Sequence, residues 1–358
     1  MEVAKWHGQQ DVRVGEDDIP ETGKNEVRIK VEAAGICGTD LHEYKAGPIF
    51  VPNFGEPNPI TGAEPPVPLG HEFGGVVDEV GSDVTEFSPG DSVAVNPGIA
   101  CGSCRYCDEG MYNQCEKLAF VGLSAKSGGF AEYATVPASN VHRLPDNVPT
   151  EYGALVEPLS VCLRAVRRAG IQAGDSVAVF GTGPIGLGLV LCATAAGAEQ
   201  IFVSEPRDAR RQLATDAGAD TVIDPTEMDA VAEITEATDG GVDIALEATG
   251  VQPGFEDAIQ STRPDGQVTI VSISEDTFEI DTNSIVIPER NINGTLAYQT
   301  GPIKTEFERV INLLKKEKID PSILVTDRIN LKNIVSDGFE RLTDPESNQV
   351  KILVKPEE

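Results

Sequence analysis

The sequence predicts an α/β protein of two domains, an irregular β domain joined to a doubly wound parallel sheet. Three observations predict it. The chain has 358 residues, long for one domain and sufficient for two cores. From Val3 to about Pro145, short β-rich runs are broken by glycine and proline, the texture of irregular β structure. From Ser176 onward, strand-like and helix-like runs alternate, which implies a parallel sheet covered by helices on both faces.

In chain order, the first region places strands at 27–31, 76–80, 93–95 and 133–136. Residues 47–68 form a long proline-rich loop, and loops of that length in a compact domain tend to be functional. Residues 152–169 turn helical, with Leu155, Leu159, Cys162, Leu163 and Val166 on neighbouring turns and Gly170 as a C-cap. This helix is expected to join the domains. Strands at 177–180, 201–204, 222–223, 242–246 and 268–272 then alternate with helices at 185–196, 209–217, 231–238 and 255–261. Past about residue 287 the alternation fades, and the rest, with a terminal strand at 350–354, is expected to return to the first domain. The expected domains are therefore 1–155 with 288–358, including an excursion at 96–116, and 156–287.

Aspartate and glutamate total 58 against 28 lysines and arginines, a formal net charge of −30. A polyanion such as nucleic acid, or an anionic membrane, would be repelled. The acidic residues are spread along the chain, which reads as a solvated acidic shell and suggests the cytoplasm of a salt-adapted organism. Self-repulsion weakens a compact state until salt screens it, and the Debye length is about 3 Å near 1 M salt. Melting temperature is expected to rise with added KCl; a flat response between dilute buffer and molar salt would remove the idea. The N-terminus lacks the layout of a secretory signal. The longest apolar stretch, 183–198, falls short of the roughly 20 residues that span a bilayer.

Cys101, Cys104, Cys107 and Cys115 occupy fifteen residues as C-x2-C-x2-C-x7-C. Four thiolates at that spacing can close a tetrahedral cage around zinc with no ligand position left open, a structural site. An iron–sulfur cluster opens similarly but closes as C-x3-C-P, whereas Glu116 follows here. Reduced thiols or a disulfide are the remaining readings, and seven cysteines in 358 residues are sparse and odd for a stapled secreted domain.

The strand at 177–180 runs into Gly181-Thr182-Gly183-Pro184-Ile185-Gly186, a G-x-G-x-x-G that opens a helix. The glycines permit a tight turn, close approach of a pyrophosphate and helix–strand packing, while the helix N-terminus favours phosphate charge. Glu205 stands nineteen residues after Gly186 at the next strand end. A carboxylate there can accept hydrogen bonds from both ribose hydroxyls and repel a 2′-phosphate, so NAD is favoured over NADP. Arg207, Arg210 and Arg211 nearby weaken that preference.

Cys37 lies in Gly35-Ile36-Cys37-Gly38-Thr39-Asp40-Leu41-His42, and His71-Glu72 lies in Gly70-His71-Glu72-Phe73-Gly74-Gly75. Either alone reads more readily as core than as a ligand. Together they offer thiolate, imidazole and carboxylate, the donors of a second zinc with one position open, as Lewis-acid catalysis requires. Cys162 and Cys192 sit in apolar helical stretches and read as core, and His7 and His142 carry no motif.

With these motifs in order, the chain resembles the zinc-containing medium-chain alcohol dehydrogenases, of the polyol and butanediol dehydrogenase branch, over nearly its whole length. Gly70-His71-Glu72 followed by Gly75, Gly81 and Val84 is similar to that family's zinc signature. The resemblance implies a GroES-like catalytic domain, a Rossmann NAD-binding domain, and two zinc ions per chain, one catalytic and one structural. It implies catalytic zinc on Cys37, His71 and a glutamate. Glu157 stands where liver-type members use a third cysteine, and Glu72 is a partner able to exchange onto the metal. It further implies a relay in which the Thr39 hydroxyl takes the proton of a zinc-acidified substrate hydroxyl and His42 delivers it to solvent. Gly183, Pro184 and Ile185 in the loop, Arg210, Thr249 in Glu247-Ala248-Thr249-Gly250, and Ser272-Ile273 resemble cofactor contacts.

Two stretches narrow the branch. Trp6-His7-Gly8, and Leu41-His42-Glu43-Tyr44 leading into the 47–62 loop, are similar to enzymes that interconvert 2,3-butanediol and acetoin. Sorbitol and threonine dehydrogenases have a shorter connection there. The expected substrate is a vicinal diol or its hydroxyketone, with a sugar, polyol or L-threonine as the second choice and a non-catalytic nucleotide-binding protein as the remote one. The resemblance also implies a dimer or tetramer.

Overall fold

The computed structural model describes residues 1–274, 276–298 and 305–356, which form two compact units. The first comprises Met1–Glu157 with two later segments, the last beginning at Val325. At its centre lies the strand Glu26–Gly35, paired antiparallel with Glu72–Val80, Tyr133–Pro137 and Lys351–Lys355. Its alternate side chains Val27, Ile29 and Val31 are buried among Trp6, Phe73, Phe130, Phe339 and Ile352. Burying branched aliphatic and aromatic groups along one pleated face is what fixes the register, because a slip of one residue would turn them to water.

The second unit comprises Pro158–Tyr298 and Lys316–Leu324. Its six strands run in the order Thr221–Ile223, Gln200–Ser204, Ser176–Phe180, Val242–Glu247, Thr262–Ile270, Asn291–Gly294, and every pairing is parallel. That order places the first strand of the series at the centre, where the direction of winding reverses, the arrangement that opens a crevice at the strand C-termini. The α/β class expected from alternation is therefore the one observed.

Three differences have physical causes. The second unit runs past the expected limit at residue 287, because Asn291–Gly294 adds a sixth strand. Its sequence, Asn-Ile-Asn-Gly, carries only one apolar side chain and no strand texture to read. The N-terminal hairpin of Glu2–Gly8 and Asp11–Glu16 turns through Gln10 at φ 57°, without the glycine or asparagine that usually marks such a turn. Finally, residues Gly38–Ala46 form a helix, although polar residues circle it and no hydrophobic period announces it. Among the described residues, no helix is long and apolar enough to cross a membrane.

Candidate metal centres and nucleotide site

Cys37 stands two residues past the end of the central strand and caps the helix Gly38–Ala46 with extended backbone. The Cys37 N–H donates to Asp40 Oδ2 at 2.9 Å. Across the antiparallel pair, Gly35 faces Glu72, so the register carries His71 and Glu72 to the same strand end as Cys37. One ligand atom from each of Cys37, His71 and Glu72 lies within 4.8 Å of the others, a spacing that one ion can bridge.

The surroundings fit a cation. Asp40 is fully buried, and its Oδ1 stands 3.4 Å from His71 Nδ1, turned so that neither atom has a hydrogen-bond partner. With a carboxylate beside Nδ1, Nε2 is the nitrogen left for a metal. Burial alone would lower the His71 pKa, yet the charges of Asp40 and Cys37 outweigh it and hold the ring well above its ordinary value. This is an excess of negative charge that a bound cation would offset.

Glu72 is tied from the other side. Lys351 Nζ donates to Glu72 Oε1 at 2.9 Å, to Glu72 Oε2 at 2.6 Å and to the Ile36 carbonyl at 3.0 Å. Both side chains are 1 % exposed. The lysine reaches across Gly35, where an added Cβ would stand 2.3 Å from Glu72 Oε2 and 3.3 Å from Lys351 Cδ. Glu157 is buried but stands outside the close group, and its charge acts on the Lys351 ammonium. The structure thus brings Glu72 against Cys37 and His71.

Thr39 and His42 share one face of the helix by their spacing of three residues. Thr39 Oγ1 lies 3.7 Å from Cys37 Sγ. One turn on, fully buried Glu43 accepts hydrogen bonds from the backbone N–H groups of Ile49, Phe50 and Val51, and so anchors the start of the 47–68 loop. Asp40, Glu43 and Lys351 escaped the sequence reading. The signals were present: an acid three residues beyond a helix cap, and one lysine opening the apolar run Lys351-Ile352-Leu353-Val354.

All seven cysteines are free thiols, so the disulfide reading of the four-cysteine run falls away. Cys101, Cys104, Cys107 and Cys115 converge. Sulfur separations of 4.0 Å for Cys101–Cys107 and 3.5 Å for Cys104–Cys107 bracket the about 3.8 Å expected for two thiolates at tetrahedral positions on zinc. Backbone N–H groups of Cys101 and Lys117 donate to Cys115 Sγ. The Ser103 N–H lowers the Cys101 pKa while burial raises that of Cys107.

In the second unit, the strand Ser176–Phe180 feeds the helix Pro184–Ala196 through the glycine loop. A Cβ on Gly186 would stand 1.8 Å from the Gly181 carbonyl, so only glycine fits there. At Gly183, the helix N-cap, a Cβ would meet open space, leaving backbone exposed to a pyrophosphate. Glu205 is 4 % exposed and already bonded: its Oε2 accepts from the Thr182 N–H and Oγ1, both at 2.8 Å, and its Oε1 from the Arg207 N–H at 2.9 Å. Arg211 is committed to Asp224 at 2.8 Å and to the carbonyls of Glu205 and Pro206. Arg210 is half-buried, and desolvation with the charge of Arg207 lowers its pKa. The strand ends converge on Glu247, fully buried, whose carboxylate accepts from Thr249 N–H and Oγ1, Gly250 N–H and Ser272 Oγ. Ile273 is 60 % exposed beside them.

Comparison with known proteins follows the same division. Residues 23–146 match the family profile described as alcohol dehydrogenase GroES-like domain, and residues 184–316 that of zinc-binding dehydrogenase. The chain is 44 % identical to the (R,R)-butanediol dehydrogenase of Bacillus subtilis (strain 168), covering 99 % of this chain and 100 % of that one. The crystal structure of 2R,3R-butanediol dehydrogenase from Bacillus subtilis superposes with a TM-score of 0.92 at 43 % identity, over 99 % of each chain. A zinc-binding dehydrogenase from Sinorhizobium meliloti 1021 bound to NADP gives 0.90 at 32 % identity, again over 99 % of each chain.

Proposed function

This chain belongs to the zinc-binding alcohol dehydrogenase family, whose chemistry uses zinc and a nicotinamide cofactor, and on that premise we propose that it moves a hydride between a vicinal diol and NAD. The diol is (R,R)-2,3-butanediol and the ketone acetoin. One observation carries the reading: Cys37, His71 and Glu72 converge beside a helix that presents Thr39 and His42. When bound, zinc would supply the Lewis acidity that brings a substrate hydroxyl toward neutral pKa, and the nicotinamide would supply the hydride acceptor.

The chain's own groups do the rest. Cys37 and His71 would hold the catalytic zinc with a glutamate, Glu157 or, on exchange, Glu72. Asp40 aims His71, and Lys351 fixes the position of Glu72. Thr39 Oγ1 takes the proton of the substrate hydroxyl and the His42 imidazole passes it to solvent. Cys101, Cys104, Cys107 and Cys115 would hold the second, structural zinc. Gly181 to Gly186 hold the pyrophosphate and Glu205 the adenosine ribose, while Arg210, Thr249, Ser272 and Ile273 border the cofactor. With Arg211 engaged by Asp224, one of the three nearby cations is withdrawn from a 2′-phosphate, which supports NAD.

The test is NADH formation with the 2,3-butanediol stereoisomers, sorbitol, glucose and L-threonine. Pocket contacts discriminate similar alcohols by about 10- to 200-fold, and the (R,R) diol is expected to lead by at least the lower figure. If no alcohol turns over with zinc and NAD supplied, the chain is a nucleotide-binding protein without this chemistry. A homo-oligomer is the expected assembly in the cytoplasm of a salt-adapted organism. The sheet-edge strand Asn291–Gly294 is flanked by Val286, Ile287 and Leu296, 69 %, 78 % and 44 % exposed, a surface suited to a second copy. Sedimentation that returns a monomer would remove the oligomer, as a melting temperature indifferent to KCl would remove the salt adaptation.

A further inference from the structure

The hydrogen bonds of Glu205 assign a role to a residue that the glycine motif leaves unspecified. An ionised carboxylate offers about four acceptor positions, two on each oxygen. Among the described residues three are filled: Oε2 by the Thr182 N–H and hydroxyl, Oε1 by the Arg207 N–H. One remains, on Oε1. Glu205 can therefore take one ribose hydroxyl, not the two expected from a free carboxylate.

The same bonds hold it rigidly. Thr182 is fully buried and Glu205 is 4 % exposed, so the pair has little room to part. A 2′-phosphate could enter only if the carboxylate swung away and left the field to Arg207 and Arg210. Those cations are close enough for Arg210 to feel the charges of both Arg207 and Glu205. Of the two bonds on Oε2, the backbone N–H is there whatever residue stands at 182; the hydroxyl is there only because that residue is threonine.

We propose that Thr182 determines cofactor specificity: its hydroxyl pins the Glu205 carboxylate at the ribose position, so that a nicotinamide dinucleotide carrying a 2′-phosphate is refused. The inference rests on the reading of Glu205 as the ribose acceptor and of NAD as the cofactor. Thr182 acts through Glu205 and is a positioning residue, not a catalytic one.

The experiment compares Thr182→Val, which keeps the shape and removes the hydroxyl, with Thr182→Ser, which keeps the hydroxyl. Steady-state kinetics with NAD and NADP are joined to calorimetric titration of ADP-ribose and its 2′-phosphorylated form, a readout independent of turnover. Loss of one hydrogen bond to a charged group is worth about a tenfold change or more. In Thr182→Val the ratio of kcat/KM for NADP over NAD is expected to rise by about that factor, carried by KM, with the same shift in the titrations. Thr182→Ser is expected to stay within about twofold of the wild type. Unchanged selectivity in Thr182→Val overturns the proposal, and so does an equal loss of affinity for both nucleotides, which would mark a purely structural residue. A wild type that takes both cofactors alike overturns the NAD reading itself, and the proposal with it.

Discussion

Replacing Cys37 by serine is expected to abolish alcohol oxidation and to reduce the zinc content from two ions per chain to one, while NADH still binds. The thiolate is the strongest donor in the group of Cys37, His71 and Glu72, and a serine hydroxyl at neutral pH does not replace its charge. Loss of a group one bond removed from a metal typically costs about 10- to 100-fold in affinity or activity; loss of a direct ligand is expected to exceed that and to leave turnover below detection. NADH binding, followed by fluorescence, is expected to persist because Gly181–Gly186 and Glu205 belong to the other compact unit. Two zinc ions with turnover intact would sink the assignment of Cys37. Joint loss of turnover and NADH binding would point to folding instead.

The second large effect concerns stability. Lys351→Met is expected to destabilise the protein by about 3–5 kcal/mol, because it strands the charge of Glu72 in a place almost without water. At about 2–4 °C per kcal/mol for a domain of 150–250 residues, the melting temperature should fall by about 6–20 °C. Burial works against the Lys351 charge, yet Glu72, Cys37 and Glu157 together hold its ammonium above the ordinary lysine range. The pair is weak as a source of stability in its own right, since the attraction is offset by desolvation; what is costly is breaking one half of it. A Lys351→Met, Glu72→Leu double variant should therefore lose less stability than Lys351→Met alone. Calorimetry with metal and salt held fixed checks both, and a change of less than about 1 kcal/mol in the single variant would contradict the expectation.

How much of this was readable without coordinates differs from element to element. The parallel sheet announced itself because the helices between its strands bury one side, so that hydrophobic periodicity changes from two to 3.6 and back at each junction. The glycine loop was legible for the same local reason: strand, turn and helix N-terminus are consecutive in sequence, and the chemistry of each glycine depends on neighbours a few residues away. The four-cysteine run is local too. By contrast, the helix Gly38–Ala46 left no hydrophobic period to detect, and its one local mark was the acid three residues beyond its cap. The strand Asn291–Gly294 was missed because membership of a sheet there is conferred by Thr262–Ile270 and not by its own residues.

Residue types and their spacing by themselves determined that this chain has an irregular β unit and a doubly wound α/β unit, a four-cysteine cluster, a dinucleotide loop and a pair of scattered metal-ligand motifs. Only the tertiary structure decided which side chains act on those motifs. Lys351 stands 279 positions from Glu72 along the chain, yet donates to both of its oxygens. Asp40 faces His71 because the register of two antiparallel strands ends both at one place. Glu205 meets Thr182 because adjacent parallel strands end side by side. Local motifs can be read from neighbours in sequence because covalent geometry and short-range hydrogen bonding set them. The partners that fix charge and direction are chosen by strand pairing over long loops, and no short window of sequence contains that information.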